Sequence, residues 1–118
     1  MVINQGDLFW VNLGEPSGSK SGHRCLNVVI QNNVFNRSHI NTILVCVVTP
    51  NLKRATAPGN ILLDAGEANL SSPHVINISQ VLTLTKDQFQ EKVGTVSVDR
   101  IREILDGVRL ITEPREVQ

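Results

Sequence analysis

Residues 16–30 read PSGSKSGHRCLNVVI and divide at Arg24. The first half is dense in Gly, Ser and Pro, the composition of a long loop. The second half, from Cys25 to Ile30, is a run of mostly apolar and β-branched residues, the composition of a buried strand. The junction puts a guanidinium at the mouth of a loop and the root of a strand, where a fixed cation can face an anion. A loop of this length in a small chain is either functional or a plain connector. Its glycines, Gly18 and Gly22, predict a gate that orders over a ligand or is displaced by one.

Working outward, residues 8–13 (LFWVNL) favour a strand by their aromatic and branched content, entered through a turn at Gln5-Gly6-Asp7. Residues 42–49 (TILVCVVT) are nearly all apolar and predict a central strand buried on both faces, stopped by Pro50. Residues 32–41 form a connection with room for one helical turn. Residues 51–60 are a basic loop, 61–64 a short strand, 65–73 a surface loop, and 74–82 a strand with an interruption. Thr85 followed three residues later by Gln88 is a capping-box pattern, which predicts a short helix through Glu91 that ends near Gly94, then a last short strand over 94–96. Val98, Ile101, Ile104, Leu105, Val108 and Ile111 recur at helical spacing, so a C-terminal amphipathic helix capped by Ser97 is expected. Gly107 weakens that helix by about 1 kcal/mol relative to alanine, and Pro114 ends it. Many short strands and two helices without regular alternation define a mainly β fold, a small antiparallel barrel with appended helices.

The chain of 118 residues predicts one domain, residues 1–118, with a core built from Val, Ile and Leu because it has only three Phe, one Trp and no Tyr. No apolar run is long enough to span a bilayer and no basic leader precedes one, so a cytoplasmic protein without membrane attachment is expected. Cys25 and Cys46 sit inside apolar runs and read as small buried hydrophobes. Without a Cys-x-x-Cys pair, and with His23, His39 and His74 isolated from one another, neither a metal site nor a cofactor is expected. The net charge is zero, but its distribution is uneven: residues 16–63 contain no Asp or Glu and carry Lys20, Arg24, Arg37, Lys53 and Arg54. That pattern reads either as an anion-binding face or as five solvated charges that happen to cluster.

The ordered features resemble those of the MazF/PemK family of toxin endoribonucleases. Gly6-Asp7 and the aromatic strand over 8–13 resemble the family's opening. The Gly/Ser loop ending in Gly22-His23-Arg24 stands where the family has its loop and Arg-Pro, with Cys25 in place of the proline. Val28-Val29-Ile30-Gln31-Asn32 and Val47-Val48-Thr49 are similar to its next two strands. Residues 77–86 resemble its Glu-Gln-Ile-Arg-Thr segment, with Ser79 and Leu82 replacing two charged positions. The resemblance implies an SH3-like barrel, shared with gyrase poisons of the CcdB type. It also implies a homodimer, metal-independent cutting of single-stranded RNA, and silencing by a cognate antitoxin protein. It assigns Arg24 and Thr49 to the family's catalytic pair.

Metal-free RNA cleavage uses the ribose 2′-hydroxyl as nucleophile and yields 2′,3′-cyclic phosphate and 5′-hydroxyl ends. Arg24 suits stabilisation of the phosphoryl oxygens, because a planar fork binds two of them and stays charged. Thr49 offers a hydroxyl at a strand end. With a pKa above about 12, arginine is a poor base. His23 is the chemically easier acid or base, although strand neighbours point to opposite faces. Lys20, Lys53 and Arg54 are candidate phosphate contacts. Asn32, Asn36, Ser72 and Gln80 are candidate readers of unstacked bases. Each of these also has a plain reading as a surface polar residue. Two rival functions follow from the same residues: a same-fold toxin that poisons a protein target such as gyrase, and a degenerate member that binds RNA or antitoxin without cutting.

Overall fold

The structure is a computed structural model that describes residues 1–14 and 24–117. Six antiparallel strands form one curled sheet, an open half-barrel: β1 (Asp7–Asn12), β2 (Arg24–Val29), β3 (Thr42–Thr49), β4 (Ile61–Leu63), β5 (His74–Thr85) and β6 (Phe89–Thr95). Across the sheet they run in the order β4-β5-β3-β2-β1-β6. A four-residue helix, α1 (Asn33–Asn36), joins β2 to β3, and α2 (Val98–Thr112) follows the last strand.

The sheet is held from both faces because alternate residues along each strand point to opposite sides. Leu8, Val28, Cys46, Val48 and Ile76 point into one cluster, which Ile104 of α2 closes. Phe9, Val11, Val29, Ile43 and Val45 point into a second, completed by Leu84 and Phe89. The expectation for β3 holds through its middle but not at Leu44, which is 39% exposed. Of the cysteines, Cys46 is fully buried, and burial pushes its thiol up to about 11. Cys25 is only half-buried, against the expectation for it.

The Gly6-Asp7 pair seats the first strand. Gly6 takes φ +93, a conformation natural to glycine. From there its N–H donates to Val29 O at 2.8 Å and its carbonyl accepts from Val96 N–H at 3.0 Å. Asp7 is buried, and its carboxylate accepts from Asn4 N–H at 2.9 Å, from the Thr95 hydroxyl at 2.7 Å and from Lys92 Nζ at 3.3 Å.

Two sequence expectations change in the second half of the chain. The capping box at Thr85 and Gln88 forms, but it closes only a three-residue 3-10 turn, residues 86–88, and not a helix through Glu91. Phe89 is drawn into the core instead, edge-on to Phe9 with ring centroids 5.2 Å apart, and the chain continues as β6 paired with β1. The expected interruption of the strand over 74–82 is a bulge. Asn77 faces Val47 and Val81 faces Cys46, so residues 78–80 have no partners on β3, and β5 then runs on to Thr85. The Ile78 N–H, displaced from the ladder, donates to Asn60 Oδ1 at 2.8 Å.

That bulge explains Gly107. The helix, capped at Ser97, whose Oγ accepts from Arg100 N–H at 3.2 Å, runs unbroken through Gly107 to Thr112. A Cβ at Gly107 would lie 2.8 Å from Gly59 O and 3.0 Å from Ile78 Cγ1. The glycine therefore permits α2 to press against the bulge. Two turns earlier, Arg100 anchors the start of the helix through two bonds to Glu67, at 2.9 and 2.8 Å. The shared hydrogen bonds raise the pKa of Arg100 and lower that of Glu67.

Helix propensity alone would make Gly107→Ala stabilising by about 1 kcal/mol. The clash with backbone reverses the sign, because overpacking costs about 1–3 kcal/mol. We expect Gly107→Ala to lower the urea midpoint relative to the parent chain. A higher midpoint would contradict the close approach. Asn27 sets a second test. It is wholly buried between Phe9 and Val47, and among the described residues neither its Nδ2 nor its Oδ1 has a hydrogen-bond partner. An unsatisfied buried amide costs about 1–3 kcal/mol. Asn27→Val is therefore expected to raise the melting temperature by several degrees, read by calorimetry.

Candidate active site

The end of β3 gathers the polar chemistry. β3 lies between β2 and β5, with Leu26 opposite Val48 on one side and Val75 opposite Thr49 on the other. Pro50 stops the ladder, and the open end becomes a cavity of about 360 Å³ lined by Trp10, Arg24, Leu26, Thr49, Pro50 and His74, among others. Its floor is apolar where Leu26 and Val48 turn inward. Its rim is cationic and hydroxylic.

Arg24 is the first residue of β2, two positions before the strand dives into the core. Its guanidinium carbon sits 4.6 Å from the centroid of the Trp10 ring, which comes from β1. A cation over an indole face at an exposed site gains about 0.5–1 kcal/mol, and the contact restricts where the fork can point. Nη2 also donates to Glu91 Oε1 of β6 at 2.6 Å, between side chains 51% and 71% exposed. The arginine is thus held on one side by an aromatic face and on another by a carboxylate that stands where an anionic ligand would compete.

Thr49 is fixed by the turn that follows it. Its Oγ1 accepts from Asn51 N–H at 3.1 Å, and Asn51 Oδ1 in turn accepts from Lys53 N–H at 3.1 Å as the chain enters the 3-10 turn Leu52–Thr56. With its oxygen oriented by a backbone donor, the hydroxyl retains its own hydrogen for a ligand oxygen. His74 completes the rim from β5. Its Nδ1 lies 2.9 Å from Ser72 O. A carbonyl only accepts, so Nδ1 carries the proton and Nε2 is the basic nitrogen.

The other sequence candidates separate. His23 and Lys20 lie outside the described residues, as does the loop read as a gate. Lys53 and Arg54 are exposed on the turn after Thr49 and make no salt bridge among the described residues. Arg37 leaves the basic set, because its guanidinium donates to Ile3 O at 3.2 Å and to Asn4 Oδ1, which ties the N-terminus to α1. Asn32 caps α1 by accepting from Phe35 N–H at 3.1 Å, and it borders a different cavity, with Phe35, Ile40 and Leu44. Asn36 is corrected outright as a base reader. It is 7% exposed, and its amide is engaged with Gln31, accepting from Nε2 at 3.0 Å and donating to the carbonyl at 2.9 Å. Gln80 is exposed on the bulge, where its Oε1 accepts from Asn77 Nδ2 at 2.5 Å. Ser72 is exposed and contributes its carbonyl to His74.

Sequence reasoning passed over Trp10, Glu91 and His74. Trp10 and Glu91 reach Arg24 from strands β1 and β6, and nothing in their local sequence announces the pairing. His74 carried a signal that spacing could not use: it opens the strand that pairs with β3, so it arrives beside the strand end that bears Thr49.

Residues 4–112 match the family described as PemK-like, MazF-like toxin of type II toxin-antitoxin system. The chain belongs to that family. Among its relatives are Endoribonuclease MazF6 of Mycobacterium tuberculosis and Endoribonuclease MazF2 of Mycobacterium bovis. Each is 34% identical over 113 residues, which cover 96% of this chain and 99% of the relative. The fold is similar to that of MazE-MazF from Deinococcus radiodurans, with a TM-score of 0.78 at 20% identity over 94% of this chain and 96% of that one. It is also similar to an endoribonuclease in complex with its cognate antitoxin from a mycobacterial species, with a TM-score of 0.75 at 19% identity over 96% and 98%.

The Glu91 contact gives a direct test. Removing its charge frees the guanidinium without touching the fork. An exposed pair is worth about 0.2–1 kcal/mol, so Glu91→Gln is expected to tighten binding of a non-cleavable single-stranded RNA by about 1.5- to 5-fold at low salt. The gain should fade as salt screens the pair. Fluorescence anisotropy across a salt series reads both effects.

Proposed function

We propose that this chain is the toxin of a type II toxin-antitoxin pair and acts as a sequence-selective endoribonuclease on single-stranded RNA, without a metal. The observation that carries the reading is the convergence of Arg24 and Thr49, from different strands, on one cavity. The scissile phosphate sits between the guanidinium and the hydroxyl. The ribose 2′-oxygen attacks phosphorus, the bond to the 5′-oxygen breaks, and the products are a 2′,3′-cyclic phosphate and a 5′-hydroxyl. Arg24 neutralises the charge that accumulates on the phosphoryl oxygens, and Thr49 donates to one of them. Lys53 and Arg54 extend positive charge along the flanking backbone, which gives affinity without base selection.

The remaining parts of the proposal concern assembly. Residues 1–118 act as one domain in the cytoplasm, the toxin is a homodimer, and a cognate antitoxin lays an acidic segment over the Arg24 cavity and excludes RNA. The exposed apolar side chains Val34, Phe35, Ile40 and Leu44 are of the kind that protein partners cover, which supports the expectation of a stable assembly. Poisoning of gyrase is not favoured, since the relatives at 34% identity are named endoribonucleases.

The test is incubation of the purified chain with long RNA in excess EDTA, with ends mapped by primer extension. Discrete cuts with 5′-hydroxyl ends are expected. Arg24→Ala should lower their rate by about 100- to 1,000-fold, the effect of removing one preorganised oxyanion donor. Cuts that need added metal, or that survive Arg24→Ala, would overturn the mechanism.

A further inference from the structure

We propose that His74 is the proton acceptor for the RNA 2′-hydroxyl, with Nε2 as the reacting atom. The inference rests on the endoribonuclease reading above and supplies the group that reading lacks. Arg24 and His74 belong to β2 and β5, the two strands that flank β3, so they face each other across the strand end that carries Thr49 and Pro50. Neighbouring strands lie about 4.8 Å apart, which sets the β2 and β5 backbones about 10 Å from each other. One phosphate and its ribose fill that span. With the phosphate on Arg24 and Thr49, the ribose is directed to the His74 side.

The ring is already oriented as a base requires. Nδ1 donates to Ser72 O at 2.9 Å, which fixes the tautomer and leaves the Nε2 lone pair without a hydrogen-bond partner among the described residues. Val75 next to it is wholly buried, so the backbone that carries the ring is anchored in the core. The other described groups on the cavity serve this step poorly. A guanidinium stays protonated, and the Thr49 hydroxyl is too weak an acid or base near neutral pH. Cys25 packs toward the cluster that contains Phe9 and Val11, on the other face of β2. Imidazole exchanges its proton in the neutral range, where base catalysis is most effective.

The step balances without a co-reactant. The 2′-hydroxyl proton passes to Nε2 as the bond from the 2′-oxygen to phosphorus forms. The bond from phosphorus to the 5′-oxygen breaks, and the leaving 5′-oxygen takes a proton from water. His74 then returns its proton to solvent. Several charged groups stand on the elements around the cavity and on those packed beside β5. They are Arg24 across the cavity with Glu91 held against it, Asp64 just beyond Leu63 (the partner of His74 on β4), Lys53 and Arg54 on the turn packed against β5, and Glu103 and Asp106 of α2, which share a cleft with Asn60 and Ile61. β3 carries no charge.

The experiment measures single-turnover cleavage in EDTA from about pH 5 to about pH 9 for the parent chain, His74→Ala, His74→Gln and Arg24→Ala. Binding of a 2′-O-methyl version of the oligonucleotide is measured in parallel. For both His74 variants the rate should fall at least about 100-fold, with binding of the methylated RNA and the circular dichroism spectrum kept. The acidic limb of the rate profile should disappear, and added imidazole should restore part of the rate to His74→Ala. If both variants cut within threefold of the parent with the acidic limb intact, His74 is not the base, while loss of cutting in Arg24→Ala leaves the nuclease reading standing. A parent chain that leaves RNA uncut overturns both. Rate loss matched by lost binding or lost structure, without imidazole rescue, also overturns the assignment.

Discussion

The antiparallel seating of β3 between β2 and β5 is the constraint on which the rest depends. Leu26 against Val48 and Ile76 against Val48 lock three strands into one register. All three side chains point into the cluster closed by α2, so a slip of one residue would turn the whole set to the other face of the sheet and scramble both clusters. The same register determines what meets at the end of β3. Arg24 arrives on one side and His74 on the other, and Thr49 sits at the point where Pro50 forbids another ladder bond. The described lining of the cavity therefore follows from core packing.

Rigidity near the site comes from small, local devices. The Thr49 hydroxyl and the Asn51 amide each accept a backbone N–H as the chain turns. On β5, the bulge at residues 78–80 frees an N–H that Asn60 satisfies, and the same bulge receives Gly107 of the helix. A half-barrel with open edges gains closure from α2, which is pressed on through a glycine contact and bolted by the pair of Arg100 and Glu67. The charge at the rim is held only by an exposed pair, Arg24 with Glu91.

Several misreadings of the sequence share a cause. The capping box at Thr85 is a real local signal and forms as such, yet the helix it announced gives way to β6 because Phe89 finds Phe9. Gly107 reads locally as a weak point in a helix and proves to be the place where two backbones touch. Asn36 looks like a surface amide in a polar connection and is instead buried against Gln31. For Phe89 and Gly107 a contact distant in sequence outweighs a preference worth about 1 kcal/mol or less, while Asn36 is buried by its near neighbour Gln31 as the chain turns.

The sequence by itself determined the first four strands and the start of the fifth, the Ser97-capped helix, and the two residues, Arg24 and Thr49, that mark the end of the cavity. It could do so because hydrophobic periodicity, caps and proline stops act over a few residues, and because their order along the chain resembles that of a family. Only the tertiary structure decided that Trp10 lies over Arg24, that Glu91 neutralises it, and that His74 shares its cavity. Those meetings join residues on strands that are remote in sequence. The strand order β4-β5-β3-β2-β1-β6 brings them together, and no local pattern encodes that order.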